Sequence, residues 1–243
     1  MPTFAELGIP FPLSEAPTTE ASFYVGVADC TLCGAEGRHC FEVYNNWLSL
    51  SCPTCGADNW FVAAGRHKCP ECGSAVPFPE APEGRDAPLV CYDCVRAGKT
   101  AMTKSTEFGI VSWEQAVEGV TRGVPGLRTD QFEVVLKDPD WDWYGVRIPR
   151  EHLWELLRTP RFNTLQEECW LFCCRRPMAY LGGWRNAVES VKPDDPTAFY
   201  QSLFDPEDAA RGWDGEVFAS GNPGLYVYRC LECGRFRSTQ DYD

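Results

Sequence analysis

The sequence predicts an α+β protein with two unlike halves, and three observations predict it. Ten of the fourteen cysteines stand in five Cys-x-x-Cys pairs, four of which fall in the first hundred residues. Short runs of β-forming residues separate those early pairs. Beyond them, helix-capping patterns alternate with strand patterns, and the fifth pair comes only near the C-terminal end. The expected regions are residues 1–100, cysteine-rich, and residues 101–243, mixed α+β.

The pairs are Cys30/Cys33, Cys52/Cys55, Cys69/Cys72, Cys91/Cys94 and Cys230/Cys233. Glycine follows at once in four of them, as Gly34, Gly56, Gly73 and Gly234. Two thiolates two residues apart can bite one tetrahedral ion. The glycine takes the tight left-handed turn that points backbone amides at the sulfurs. The pattern therefore predicts zinc knuckles.

Along the chain, residues 1–28 are Pro-rich and read as extended. From Cys30 to Cys94 the sequence reads as short strands and knuckles. Within it, Cys52/Cys55 and Cys69/Cys72 are separated by thirteen residues, the spacing of one ribbon loop. Asn59–Val62 reads as a strand inside that loop, and the whole unit, about residues 47–78, reads as an inserted zinc ribbon. Glu80–Pro88 is a Pro/Gly/acidic connector. Ser112-x-x-Gln115 is a capping box that opens a helix with Trp113, Ala116, Val117 and Val120 on one face. Phe132–Leu136 reads as a strand. Arg150–Arg158 reads as a helix with Leu153, Leu156 and Leu157 inward, stopped by Pro160. Thr164-x-x-Glu167 caps a further helix running toward Cys173, and Tyr180–Trp184 and Leu225–Cys230 read as strands.

The eight N-terminal knuckle cysteines allow two pairings. In the sequential one, Cys30/Cys33 join Cys52/Cys55, and Cys69/Cys72 join Cys91/Cys94. In the nested one the inner four share an ion and the outer four share another. The ribbon spacing favours nesting. Cys173 and Cys174, read at a helix end, can complete a third site with Cys230 and Cys233. Cys169 reads as core, and Cys40 beside His39 is a weaker ligand candidate.

Four-cysteine sites are closed and leave no position for substrate. The three histidines, His39, His67 and His152, form no recognisable catalytic set, and no phosphate loop or nucleophile elbow is present. The expectation is a protein without enzymatic activity. The rival reading is a thiol oxidoreductase built on Cys52-Pro-Thr-Cys55, a motif that works at a helix N-terminus.

The net charge is −13, from 22 basic and 35 acidic residues. Affinity for nucleic acid comes largely from Lys and Arg, so direct nucleic-acid binding is disfavoured and a basic protein is the more natural partner. Arg66-His67-Lys68 is the one basic run in the ribbon that could support a nucleic-acid role. The acidic candidates for a partner surface are Asp194, Asp195, Asp205, Glu207, Asp208, Asp214 and Glu216, and the mixed acidic–aromatic run Asp138–Tyr144. No stretch is apolar enough to span a membrane, and residues 1–13 lack a signal-peptide pattern, so a cytoplasmic protein with reduced thiols is expected.

The run Arg158-Thr-Pro-Arg-Phe-Asn-Thr-Leu-Gln-Glu-Glu-Cys-Trp170 resembles the R-T-P-G-F-x-x-W-Q-x-E-x-W core of the CbrC family, associated with colicin tolerance. Cys30-x-x-Cys33-Gly34 looks like that family's first cysteine pair. Val90-Cys91-Tyr-Asp-Cys94-Val-Arg-Ala-Gly98 resembles its L-C-P-W-C-I-A-D-G, and Tyr228-Arg-Cys230-Leu-Glu-Cys233-Gly234 its F-R-C-L-x-C-G. Arg161 and Leu165 depart from its Gly and Trp. Its H-C-x3-C run falls on Cys173, Cys174 and Met178. The resemblance implies a tolerance or immunity-type role against a nuclease toxin, with no established biochemical activity attached.

Overall fold

The structure is a computed structural model of the 243-residue chain. It describes residues 1–43, 52, 54–57, 68–75, 88–102, 119–121, 132–137, 144–165, 168–204 and 224–241. Strands and helices share one chain, in small antiparallel sheets, and the fold is α+β.

The first sheet holds β1 (Tyr24–Ala28), β2 (Arg38–Glu42) and β3 (Leu89–Cys91) in that order, all antiparallel. β3 runs directly into a short helix, α1 (Tyr92–Arg96), with Cys91 as its extended N-cap. The N-terminal segment does not run extended to β1, as its prolines suggested. It folds into turns and a 3-10 turn, Thr18–Glu20, because its spaced apolar residues Phe4, Ile9, Phe11 and Leu13 each find a buried seat. Phe4 lies at the centre of an aromatic cluster, with ring centroids 5.2 Å from Phe11 and Tyr24 and 5.6 Å from Phe41.

The C-terminal half contains two further three-stranded sheets. One orders β4 (Val120–Thr121), β6 (Tyr144–Arg147) and β5 (Glu133–Lys137) as β4-β6-β5. The other orders β9 (Ala179–Gly183), β10 (Gly224–Arg229) and β11 (Phe236–Asp241) as β11-β10-β9. A hairpin of β7 (Phe172–Cys173) and β8 (Arg176–Pro177) stands between them in sequence. Helix α2 (Arg150–Leu157) agrees with the expected element, and Leu153, Leu156 and Leu157 are buried as its periodicity requires. Helices α3 (Trp184–Val191) and α4 (Pro196–Ser202) were not legible in the pattern. Asp195 caps α4 by accepting from the Thr197 and Ala198 amides at 2.8 and 3.1 Å.

Two expectations are corrected. Val120 lies in β4, not on a helix. The helix expected from Thr164 toward Cys173 is absent from 168 onward, where the chain is extended into β7. Glu168 is 1% exposed and accepts from the Phe162 amide and from Arg161 Nε, both at 2.9 Å. Trp170, Leu171, Phe172 and Cys173 are all buried, and a helix would turn part of that run to solvent. Tertiary burial overrides the local capping signal. The expected strand at Asn59–Val62 and helix residues 112–118 lie outside the described residues, as do Asp138–Trp143 and 205–216.

Polar contacts fasten the N-terminal segment to the C-terminal half. The Tyr180 amide donates to Leu13 O and the Glu15 amide to Tyr180 O, both at 2.9 Å, so residues 13–15 cover the edge of β9. Arg229 reaches both oxygens of Glu15 at 2.7 Å. Arg96 of α1 forks onto Glu155 of α2 at 2.5 and 3.0 Å, and Arg158 joins the same carboxylate at 3.0 Å. Glu155→Ala would leave two part-buried guanidinium groups without this carboxylate. A loss of about 2–3 kcal/mol is expected, below the 3–5 kcal/mol of a fully buried pair because these side chains keep some water. Urea denaturation checks it, and an unchanged midpoint would show that the triad joins nothing of consequence.

Candidate metal centres

Four of the five pairs adopt the same turn. In each, the first cysteine's carbonyl accepts from the glycine amide: Gly34 to Cys30 at 2.8 Å, Gly56 to Cys52 at 2.8 Å, Gly73 to Cys69 at 2.9 Å, Gly234 to Cys230 at 3.1 Å. The first cysteine's own amide donates five residues on, to Ala35, Ala57, Ser74 and Arg235 in turn. The four glycines have φ of +71, +77, +69 and +73°, a region where a side chain would strain the turn. Two of these knuckles close hairpins: β1 and β2 flank Cys30–Gly34, and β10 and β11 flank Cys230–Gly234.

The fifth pair is built differently. Cys91 ends β3 and Cys94 lies in the first turn of α1. The Cys91 amide donates to Cys30 Sγ at 3.3 Å, tying this pair to the first knuckle.

The structure groups these thiols in three tetrads, with all four sulfurs of each within 4.8 Å of one another. The first is Cys30, Cys33, Cys91 and Cys94; the second is Cys52, Cys55, Cys69 and Cys72. The arrangement is the nested one. The third is Cys173, Cys174, Cys230 and Cys233. All fourteen cysteines are free. A tetrahedral ion bound at about 2.3 Å from each thiolate sets neighbouring sulfurs about 3.8 Å apart. The recorded separations are 3.8 Å for Cys33–Cys91, 3.8 and 3.6 Å for Cys52–Cys72 and Cys55–Cys69, and 3.8 and 3.6 Å for Cys173–Cys174 and Cys173–Cys233. Each tetrad fits one metal ion.

Cys173 and Cys174 do not end a helix. They stand at the β7–β8 turn, where Cys174 and Arg175 have φ of +51 and +61°. That is the two-residue hairpin turn usually made by Asn-Gly. Two successive side-chain-bearing residues there are strained, and strain of this kind collects at functional sites. The turn brings Cys174 round beside Cys173, toward Cys233. Met178, four residues on, is fully buried in the core and outside the tetrad.

The thiols within a tetrad do not ionise alike. Burial raises Cys30, but amides led by that of Cys91 bring it down to about 7. The Ser74 hydroxyl, with the Cys55 amide, lowers Cys52 to about 6. The Arg235 amide leads in lowering Cys233 to about 7. Their neighbours Cys94 and Cys173 are pushed well up, first by burial and then by nearby thiols. Four thiolates this close need a cation among them. Metal uptake by the metal-free protein should therefore release protons at pH 7, read as acidification of a weakly buffered solution; uptake without acidification would mean the thiols are not the ligands.

His39 and Cys40 lie outside the three tetrads. His39 Nδ1 is 2.6 Å from Tyr24 OH, and Cys40 is fully buried with Sγ 3.5 Å from Ala28 O. Cys169 is part-buried against the core. Sequence reading missed Ser74, whose hydroxyl lies 2.9 Å from Cys72 Sγ and 3.5 Å from Cys52 Sγ. Its signal was its place directly after the Cys-x-x-Cys-Gly turn. Among the described residues no helix is long and apolar enough to cross a membrane.

Residues 58–242 match the family described as "Uncharacterised protein family (UPF0167)". The chain belongs to the UPF0167 family. The UPF0167 match takes in the whole third tetrad and the second pair of each of the other two. A UPF0167 protein of Pseudomonas aeruginosa is 31% identical over 88 residues, covering 35% of this chain and 48% of the relative. The chain thus spans about half the length of that UPF0167 relative. No solved structure matches the chain.

Proposed function

We propose that three zinc ions hold this fold and that the protein acts by binding a basic partner protein, without catalysis, in a toxin-tolerance or immunity-type role in the cytoplasm. The observation that carries the metal reading is the sulfur geometry: three all-thiolate sets at single-ion spacing. Soft, tetrahedral four-sulfur sites suit zinc, and a closed site contributes folding energy rather than a reacting centre. The net charge of −13 supports a cationic partner. The resemblance to the CbrC family supports the tolerance role and a nuclease toxin as that partner. Against the oxidoreductase reading, Cys52 and Cys55 lie in a glycine-closed knuckle with Cys72 and Cys69 at 3.8 and 3.6 Å.

Elemental analysis of the purified, desalted protein should give three zinc ions per chain. Less than one zinc, or an iron–sulfur absorbance, would overturn the metal reading. Binding to a basic nuclease should weaken as salt rises, because screening shortens charge steering to about 8 Å at physiological ionic strength. Lysine at Asp194, Asp205 and Asp208 should slow association more than it speeds dissociation. Asp195 is spared in that variant because it caps α4. Binding indifferent to salt and to these reversals would sink the electrostatic reading.

A further inference from the structure

The three tetrads differ in what surrounds them. Among the described residues the first tetrad is embedded in an apolar core with Phe4, Phe11, Phe41 and Val95. Cys173 and Cys230 of the third sit in the largest core, with Trp170 and Tyr228. In each of these two tetrads one cysteine is exposed, Cys33 or Cys233. The second tetrad has two exposed cysteines, Cys55 and Cys72. Its buried members, Cys52 and Cys69, cluster only with each other and Ala57 among the described residues. Each exposed cysteine also has a buried one close by: Cys55 Sγ is 3.6 Å from Cys69 Sγ, and Cys72 Sγ is 3.8 Å from Cys52 Sγ.

We infer that the second tetrad is an oxidative modification site, at which hydrogen peroxide converts metal-bound thiolates to a disulfide and releases the ion while the other two tetrads stay loaded. The inference rests on the metal reading above. An exposed Cys55 or Cys72 thiolate attacks the peroxide oxygen; the O–O bond breaks, sulfenic acid forms, and the departing oxygen takes up a proton as water. The buried neighbour's thiolate then attacks the sulfenic sulfur, the S–O bond breaks, and hydroxide leaves, protonated to a second water. Two thiolates, one hydrogen peroxide and two protons thus give one disulfide and two waters. Reactivity follows thiolate character and access, and a metal keeps its sulfurs as thiolates. Attack is easiest at the tetrad in which two of the four cysteines are exposed.

The test is a hydrogen peroxide titration of the zinc-loaded full chain. Released zinc is read with a chromogenic chelator, modified cysteines by peptide mapping, and the fold by circular dichroism. The first ion lost should accompany Cys55–Cys69 or Cys52–Cys72 disulfides, with two ions and the secondary structure retained. Release of all three ions together, or first modification at Cys33 or Cys233, would overturn the inference and leave the metal reading intact. Protein that carries no metal as isolated would fail the metal reading instead. The double variant Cys55→Ser/Cys72→Ser should carry two ions and lose the peroxide-sensitive step. Mapping of the unaltered chain decides the matter if that variant does not fold.

Discussion

Cys91→Ser should unfold the N-terminal half. Cys91 ends β3, caps α1, faces Cys40 across the sheet and is 1% exposed. Its loss leaves three ligands for the proposed ion, which would join the β1–β2 knuckle to the start of α1. Structural zinc carries about 10 kcal/mol or more of folding free energy, which rivals the 5–15 kcal/mol of a whole domain. Cys69→Ser should cost one ion, because it removes one of the four ligands of the second tetrad. Thermal melts with metal counts on both variants check this, and a Cys91→Ser melt matching the native protein would show that the first tetrad is not structural.

Gly182→Ala should lower stability by about 3 kcal/mol or more, from strain at positive φ together with overpacking. Gly182 has φ +113°, and a Cβ there would lie 2.9 Å from Asn186 Cβ and 3.6 Å from Ala16 Cβ. It stands at the bulge where β9 slips register against β10, between Val227 and Tyr228. The bulge lets the next amide, Gly183, donate to Glu20 at 3.2 Å, beside Tyr180 OH on the same carboxylate at 2.9 Å. At roughly 2–4 °C per kcal/mol for a chain of this size, the midpoint should fall by about 6–12 °C. A melt unchanged within a degree would show that the bulge yields freely.

The α+β class, the knuckles and their glycines, helix α2, and the strands near β5, β9 and β10 were set by the sequence alone, because each rests on a local rule. A Cys-x-x-Cys-Gly turn is closed by its own backbone, and Leu153, Leu156 and Leu157 mark one helical face wherever the helix packs. The tertiary structure decided what depends on distant partners. Spacing allowed two pairings of the eight N-terminal cysteines, and the antiparallel seating of β3 beside β2 puts Cys91 next to Cys30. A local capping signal asked for a helix after Thr164, and the buried Glu168, accepting from Phe162 and Arg161, with the burial of residues 170–173 in the core, holds an extended chain instead. Cys173 and Cys174 meet Cys230 and Cys233 through a left-handed hairpin turn that carries no Gly to announce it. The N-terminal segment likewise owes its turns to seats for Phe4, Phe11 and Leu13 that other parts of the chain provide, because burial of separated apolar side chains is a property of the whole fold.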